Sequence, residues 1–454
     1  MCTIPAAAEP LARDLCIGMS RPTASRFLGL MLGALLARGR RNVTSMIWQV
    51  AGLVPGHFSS FHRVFSRARW SLWPMGRALA AHAVRLVPAR EPVMVAVDDT
   101  VTRHRGPKIY GRGCHRDALR SSHRITSLCW GHRWVVMCVL VPLPLVSRRW
   151  ALPVLCALYR PREVARREGR RFKTPCELAA QLALVLLRWF PGRRLVFLGD
   201  GGFASFGLAR SIQRRGGVLV ARFYDDAAIY EPPTPPSPSR PRRRGRPPMK
   251  GKALPRPRQA AARTRGREAT IGWYGGKSRR VAIVDGSGLW YRSGQGVVPL
   301  RWVMVHDREG THRDEYLFST DQAMAPRRIA EAYTGRWSIE TTFQECNEHL
   351  GLQSPRCRVR EAVLRTTPCL LGLYSVVALV FAAHVRRTGM GAERATTSSR
   401  PWYGKAEPTF VDALSLCRRL VDERIFSTPR LHAALQKIPA ALRELLLVRM
   451  RQAA

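Results

Sequence analysis

Three acidic positions stand where this chain makes acids costly unless they hold something. Val93-Met94-Val95-Ala96-Val97 is a continuous apolar, β-branched run, which fits a short strand buried on both faces, and it ends in Asp98-Asp99-Thr100. Leu195-Val196-Phe197-Leu198-Gly199 is a second such run and leads into Asp200, then Gly201 and Gly202, glycines that let backbone or a phosphate approach closely. The third position is Glu340. Ile339, Phe343, Cys346 and Leu350 recur at helical intervals and predict a buried stripe. Gly335 ends the preceding helical run and Ser338 is a good N-cap for the next. Glu340 then falls in a first turn, with Asn347 two turns on along the same face. Carboxylates at buried strand ends are expensive unless they bind a cation. Taken singly, each aspartate also suits a turn, and Glu340 also suits a helix dipole.

The pattern Tyr333-x2-Arg336-x3-Glu340 resembles the signature around the last catalytic carboxylate of DDE transposases of bacterial insertion sequences. In that subfamily a Lys or Arg follows seven positions after the Glu; Asn347 departs from it. The resemblance covers residues from about 25 to 385. It implies an α/β RNase H-like core, a mixed sheet flanked by helices, with Asp98 and Asp200 on strands and Glu340 on a helix as catalytic metal ligands. Asp99 is the fallback for Asp98. Three carboxylates converging without a basic partner repel one another unless divalent cations fill the site. The resemblance implies two Mg²⁺ ions, with Mn²⁺ as the substitute, because hard oxygens favour both over zinc. It also implies that Tyr333 and Arg336 hold a flanking phosphate. Arg356 or Arg358 would stand in for the charge missing at Asn347. The implied activity is that of a cut-and-paste transposase, working as a homodimer on terminal inverted repeats and target DNA. The alternatives are another RNase H-like nuclease, such as a junction resolvase, and a non-catalytic DNA-binding repressor.

Charge supports a polyanionic partner. In 454 residues, Lys+Arg number 75 against 31 Asp+Glu, a formal net charge of +44. Such an excess opposes compaction unless something anionic neutralises it, and nucleic acid is the expected partner. The charge is spread along the chain rather than held in one amphipathic segment, which argues against a membrane surface. The 11 cysteines form no Cys-x2-Cys pair, so they read as reduced thiols rather than a disulfide framework. Met1 to Met19 carries acids and no apolar core, so no signal peptide is expected. The longest apolar run, Pro368 to Ala383, is short of the roughly 20 residues that span a bilayer and reads as a buried helix. A bacterial, nucleoid-associated cytoplasmic protein is expected.

Around these positions the chain divides by composition. Residues 1–90 read as helices with basic turns, either a DNA-end-binding module or a plain helical subdomain; within them His57 to Trp70 reads as a connector. Residues 91–230 carry the first part of the core, including a polar loop, Tyr110 to Asp117, before the strand region Trp134 to Val146. Cys114, His115, His123, Cys129 and His132 fall in and after that loop, but their spacings match none of the usual zinc fingers. Residues 231–267 turn to Pro and Arg and predict a disordered or extended segment. Within it, Arg244-Gly245-Arg246-Pro247 resembles an AT-hook, whose Arg244 and Arg246 would lie in a narrow minor groove; a basic linker is the other reading. Residues 268–322 break into short strand-like pieces at Gly turns and predict a β-rich insertion. Trp273, Trp290 and Trp302 in it suit core packing, or stacking on an unpaired base. Residues 323–385 return to the core with the Glu helix, and 386–454 read as a loop followed by amphipathic helices.

Overall fold

The computed structural model describes residues 4–117, 120–121, 124–234, 247–396 and 405–426. Five helices precede the first strand: α1 (Glu9–Leu15), α2 (Arg21–Leu36), α3 (Val43–Gln49), α4 (Phe58–Ser66) and α5 (Leu72–Leu86). Side chains of Asn42 and Ser71 cap α3 and α5 by accepting from backbone N–H groups. The stretch His57 to Trp70 is not a bare connector, because α4 occupies most of it. Its Phe61, Val64 and Phe65 share one face and are buried, and Phe65 meets the Trp70 ring.

The next elements are β1 (Val93–Arg103), β2 (Gly113–Arg116), β3 (Leu128–Val141), β4 (Trp150–Tyr159), α6 (Arg162–Arg167), α7 (Pro175–Trp189), β5 (Leu195–Gly199), α8 (Phe206–Gln213) and β6 (Val218–Arg222). β3 pairs antiparallel with both β1 and β4, while β1, β5 and β6 run parallel. Read across, the order β4-β3-β1-β5-β6 is that of an RNase H-like sheet. Val95, Val97, Phe197 and Leu198 are all buried, which is why both strands read as unbroken apolar runs. Two expectations need correcting. β1 does not end at Asp98; it stays paired with β3 as far as Arg103 opposite Gly131. The polar loop after it includes β2, whose residues alternate buried and exposed against the start of β3.

The sheet does not stop at β6. The chain continues through β7 (Ile229–Tyr230), α9 (Pro257–Ala262), β8 (Arg267–Gly272), β9 (Ser278–Arg292), β10 (Gly296–Asp307) and β11 (Glu315–Ser319). β11 pairs antiparallel with β6, so the β-rich insertion extends one sheet to 11 strands. The pieces predicted at Arg280 to Asp285 and Gly288 to Tyr291 are one strand, β9. Gly286 makes room rather than a turn: a Cβ there would lie 2.8 Å from the Trp302 ring. Trp273 and Trp302 are buried, and Trp290 packs edge-on against Phe206, Phe223 and Phe318, so all three serve the core. The Pro/Arg-rich segment is also more ordered than its composition predicts. Residues 247–267 are placed: Ala253 bridges Tyr230, Lys250 sits over the rings of Tyr230 and Tyr291, and α9 follows. Arg244 and Arg246, with the AT-hook reading, lie outside the described residues, as does His123.

Helices α10 (Pro326–Gly335), α11 (Ser338–His349), α12 (Arg360–Thr388), α13 (Ala392–Ala395) and α14 (Phe410–Phe426) complete the described chain. α12 is 29 residues, longer than the apolar run predicts, and is apolar enough over 18 of them to cross a membrane; 89% of that window is buried within the fold. Ser338 is not a cap but the first residue of α11, because Arg336 and Trp337 stay helical and join α10 to α11 almost without a break. Its hydroxyl is used elsewhere. Ser338, Thr342 and Ser375 donate to the carbonyls of Arg149, Ala151 and Pro153 at 2.9, 2.8 and 2.6 Å. Three hydroxyls from two helices thus satisfy alternate carbonyls along the edge of β4, which would otherwise be buried unpaired. They also fix the register of the helix that carries Glu340.

Candidate active site

Asp98 lies in the middle of β1, and Asp200 immediately follows β5, the parallel neighbour. Glu340 stands in the first turn of α11. The side chain that links these elements is Arg336. Its Nη1 donates to Asp98 Oδ2 at 2.9 Å and its Nη2 to Glu340 Oε1 at 3.0 Å. The prediction of carboxylates without a basic partner therefore fails. The fold inserts a guanidinium between two of them because the joint between α10 and α11 points Arg336 inward. Only 9% of that side chain is exposed, and its Nε has no partner among the described residues. The Tyr333 ring is buried beneath it, 5.7 Å from the guanidinium. Arg336 thus faces carboxylates here, rather than standing free for a phosphate.

The doublet Asp98-Asp99 is split by the pleat of the strand, which sends successive side chains to opposite faces. Asp99 is held by Arg133 on β3 through two bonds, Nε to Oδ2 at 2.7 Å and Nη2 to Oδ1 at 2.6 Å. Asp98 is left to face α11. Burial pushes the Asp98 carboxyl up to about 7, and the charges of Asp200 and Asp99 add to that. Arg336 and the Asp99 N–H pull it back. Asp200 is arranged differently. Its Oδ1 accepts from the N–H groups of Gly202 at 2.9 Å and Phe203 at 3.2 Å. The glycines after it let the carboxylate fold onto its own backbone.

Asn347 does not reach outward. Its Oδ1 accepts from Gln353 Nε2 at 3.1 Å, and that amide also donates to Val101 O at 3.0 Å while its oxygen accepts from Arg103 N at 2.7 Å. Gln353 thus clips the end of α11 to the far half of β1. Sequence reading missed two residues, Arg133 and Gln353, and the inward direction of Arg336. For Arg133 a signal was available, since neighbouring aspartates on one strand must face different partners.

The donor set fits hard divalent cations: three carboxylates from adjacent elements, two already gathered on one positive charge. Asp98, Asp200 and Glu340 would hold such a cation once Arg336 releases its bonds. Among the described residues no three His, Cys, Asp or Glu side chains are drawn into coordinating range in the Arg336-bound arrangement.

The RNase H-like sheet thus carries Asp98 on β1 and Asp200 just after β5, with Glu340 on a following helix. The chain belongs to the DDE superfamily endonuclease family, whose family model matches residues 14–280. The matched residues include Asp98 and Asp200 and end before Glu340. Among solved structures, the chain is similar to the piggyBac transposase in a cryo-EM synaptic complex with hairpin DNA. That match has 12% identity and a TM-score of 0.38, and covers 96% of this chain and 80% of that chain. Comparison with curated protein sequences gives no match.

Proposed function

We propose that this endonuclease-family chain is a DNA transposase of the bacterial insertion-sequence type, cutting and joining the ends of its own element. The observation that carries the proposal is the convergence of Asp98 and Glu340 on Arg336, with Asp200 just past the end of the adjoining parallel strand. When bound by these carboxylates, two divalent cations, Mg²⁺ or Mn²⁺, would supply activation of the attacking oxygen and neutralisation of the leaving oxygen at a phosphodiester. The chain's own residues then have distinct tasks. Asp98, Asp200 and Glu340 supply the negative charge that collects the cations. Arg336, were it freed from Asp98 and Glu340, would neutralise a phosphate of the bound strand. Tyr333 supports the Arg336 guanidinium from below. Arg133 keeps Asp99 out of the site. The substrate is duplex DNA at terminal repeats, joined to target DNA by a dimer in the bacterial cytoplasm, without a membrane.

The test is a nicking assay on duplexes taken from the DNA that flanks the gene. The full chain should cut in Mg²⁺, and Asp98→Ala, Asp200→Ala and Glu340→Ala should each lose cutting while keeping duplex affinity. If all three still cut, the site is misassigned. One feature favours a second reading, a DNA-binding repressor: the neutral, internally bonded Asn347 where the signature has a cation. Tight binding with no cutting in either metal would favour it.

A further inference from the structure

Beyond Asp98, the segment that follows β1 and the segment after α11 enclose a concavity of about 420 Å³ lined by His104 to Ile109, Pro355, Arg356 and Arg358. Arg105, Lys108, Arg356 and Arg358 are all exposed around it. No acid lines it, and none of the four side chains makes a hydrogen bond or ion pair among the described residues. Other arginines of the chain are paired, as with Arg279 to Asp307 and Arg133 to Asp99. Four unpaired cations held together repel one another, and only an anion relieves that.

The walls are fixed rather than loose. Tyr110 N donates to Arg358 O at 3.0 Å, and His132 Nε2 bonds Tyr110 O at 2.8 Å, so the two segments are tied to each other and to β3. Pro355 is buried, and Gln353 ties the same segment to Val101 and Arg103. His104 is buried at the base, and burial, with Arg356 nearby, pushes its imidazole below the usual histidine value. The inner wall therefore stays neutral and the positive charge sits at the rim.

Resting on the transposase reading above, we infer that this pocket grips the phosphodiester backbone of the DNA duplex that leads into the Asp98–Glu340 site. Arg103 lies roughly 16 Å past Asp98, at about 3.3 Å per residue. With one phosphate per ~3.4 Å of each strand, a duplex lying along β1 meets the pocket on the order of five nucleotides from the acids. The pocket supplies the backbone charge that Asn347 does not. Its four cations match adjacent phosphates and read no base, so it sets position and not sequence.

The experiment uses the full chain and a 30-base-pair duplex of arbitrary sequence, with affinity measured across a salt series. Replacing Arg105, Lys108, Arg356 and Arg358 together by Ala should flatten the dependence of log K on log salt by about 3 to 4, at roughly 0.9 for each phosphate no longer neutralised. The all-Lys version should keep the parent slope, which controls for folding. Removing four exposed arginines elsewhere (Arg166, Arg167, Arg214 and Arg215) should change it by less than half as much. Equal losses from both sets would make the effect one of total charge and overturn the pocket. An unchanged slope overturns it as well, and so does a four-alanine chain that loses only its binding to phosphatidylserine vesicles. The two readings fail separately. A parent that cuts in Mg²⁺ while the four-alanine chain keeps its slope sinks the pocket alone. A slope loss in a chain that never cuts leaves the pocket standing and sinks the transposase.

Discussion

Arg336 Nη1 donates to Asp98 Oδ2 at 2.9 Å, across the gap between the joint of α10 with α11 and the middle of β1. This one bond sets a positive charge against Asp98, and Arg336 Nη2 extends it to Glu340.

Replacing Arg336 by Gln should therefore destabilise the metal-free chain. Losing one partner of a buried pair costs about 3 kcal/mol, softened here because Asp98 can take up a proton. Added Mg²⁺ should raise the melting temperature of Arg336→Gln more than that of the parent, since no guanidinium has to be displaced. Thermal melts with and without the metal check this. Equal Mg²⁺ responses would mean that Arg336 does not stand in the cation's way.

Asp99 should behave unlike its neighbour. Asp99→Asn breaks the two-bond grip of Arg133, so stability falls while metal-dependent cutting is retained. Asp98→Asn should lose cutting, whatever it does to stability. Side-by-side melts and nicking assays on the two variants decide the matter, and a swap of the two outcomes would move the metal-binding role to Asp99.

Thr342 holds the Glu340 helix to the edge of β4 through the Ala151 carbonyl at 2.8 Å. Thr342→Val keeps the shape but leaves that buried carbonyl unpaired, a cost of about 1–2 kcal/mol. Thr342→Ser should recover most of it. Denaturant unfolding of the three chains gives the comparison, and a Val variant as stable as the parent would show that the hydroxyl ladder carries no weight.

His132 makes the fold acid-sensitive. Burial, with His104 beside it, pushes its imidazole down to about 4. Its Nε2 faces the Tyr110 carbonyl, and Nδ1 has no partner among the described residues. Between about 6.5 and 4 the unfolded chain binds the proton that the folded chain refuses, so stability falls as pH falls through that window, by roughly 3 kcal/mol in full. His132→Gln keeps a donor for Tyr110 and removes the titration. Its unfolding free energy should drop less between pH 7 and pH 5 than the parent's. Parallel losses would place the acid sensitivity elsewhere.

How much of this was legible beforehand follows from what each signal depends on. Strands β1 and β5 announced themselves because a strand buried on both faces needs an unbroken apolar run, and Val93 to Val97 and Leu195 to Leu198 supply one. The stripe Ile339, Phe343, Cys346 and Leu350 marked α11 because helical period alone selects its buried face; all four are buried. The acids that follow those runs, taken with the Tyr333-x2-Arg336-x3-Glu340 pattern, carried the resemblance to DDE enzymes, and the chain belongs to the DDE superfamily endonuclease family. Composition misjudged residues 247–267, whose order comes from partners distant in sequence: Lys250 rests on Tyr291, and Ala253 bridges Tyr230. It also read glycines as breaks where Gly286 only makes room for Trp302, a contact no local pattern contains. The direction of Arg336 was decided in three dimensions alone. Spacing put it one turn before Glu340, but whether it turned outward to a phosphate or inward to Asp98 depended on a strand more than two hundred residues away. The same holds for Ser338, Thr342 and Ser375, whose hydroxyls find the carbonyls of β4 only after the helices have packed on that edge. Local periodicity encodes which face of an element is buried, whereas the partner across that face exists only once the chain has closed on itself.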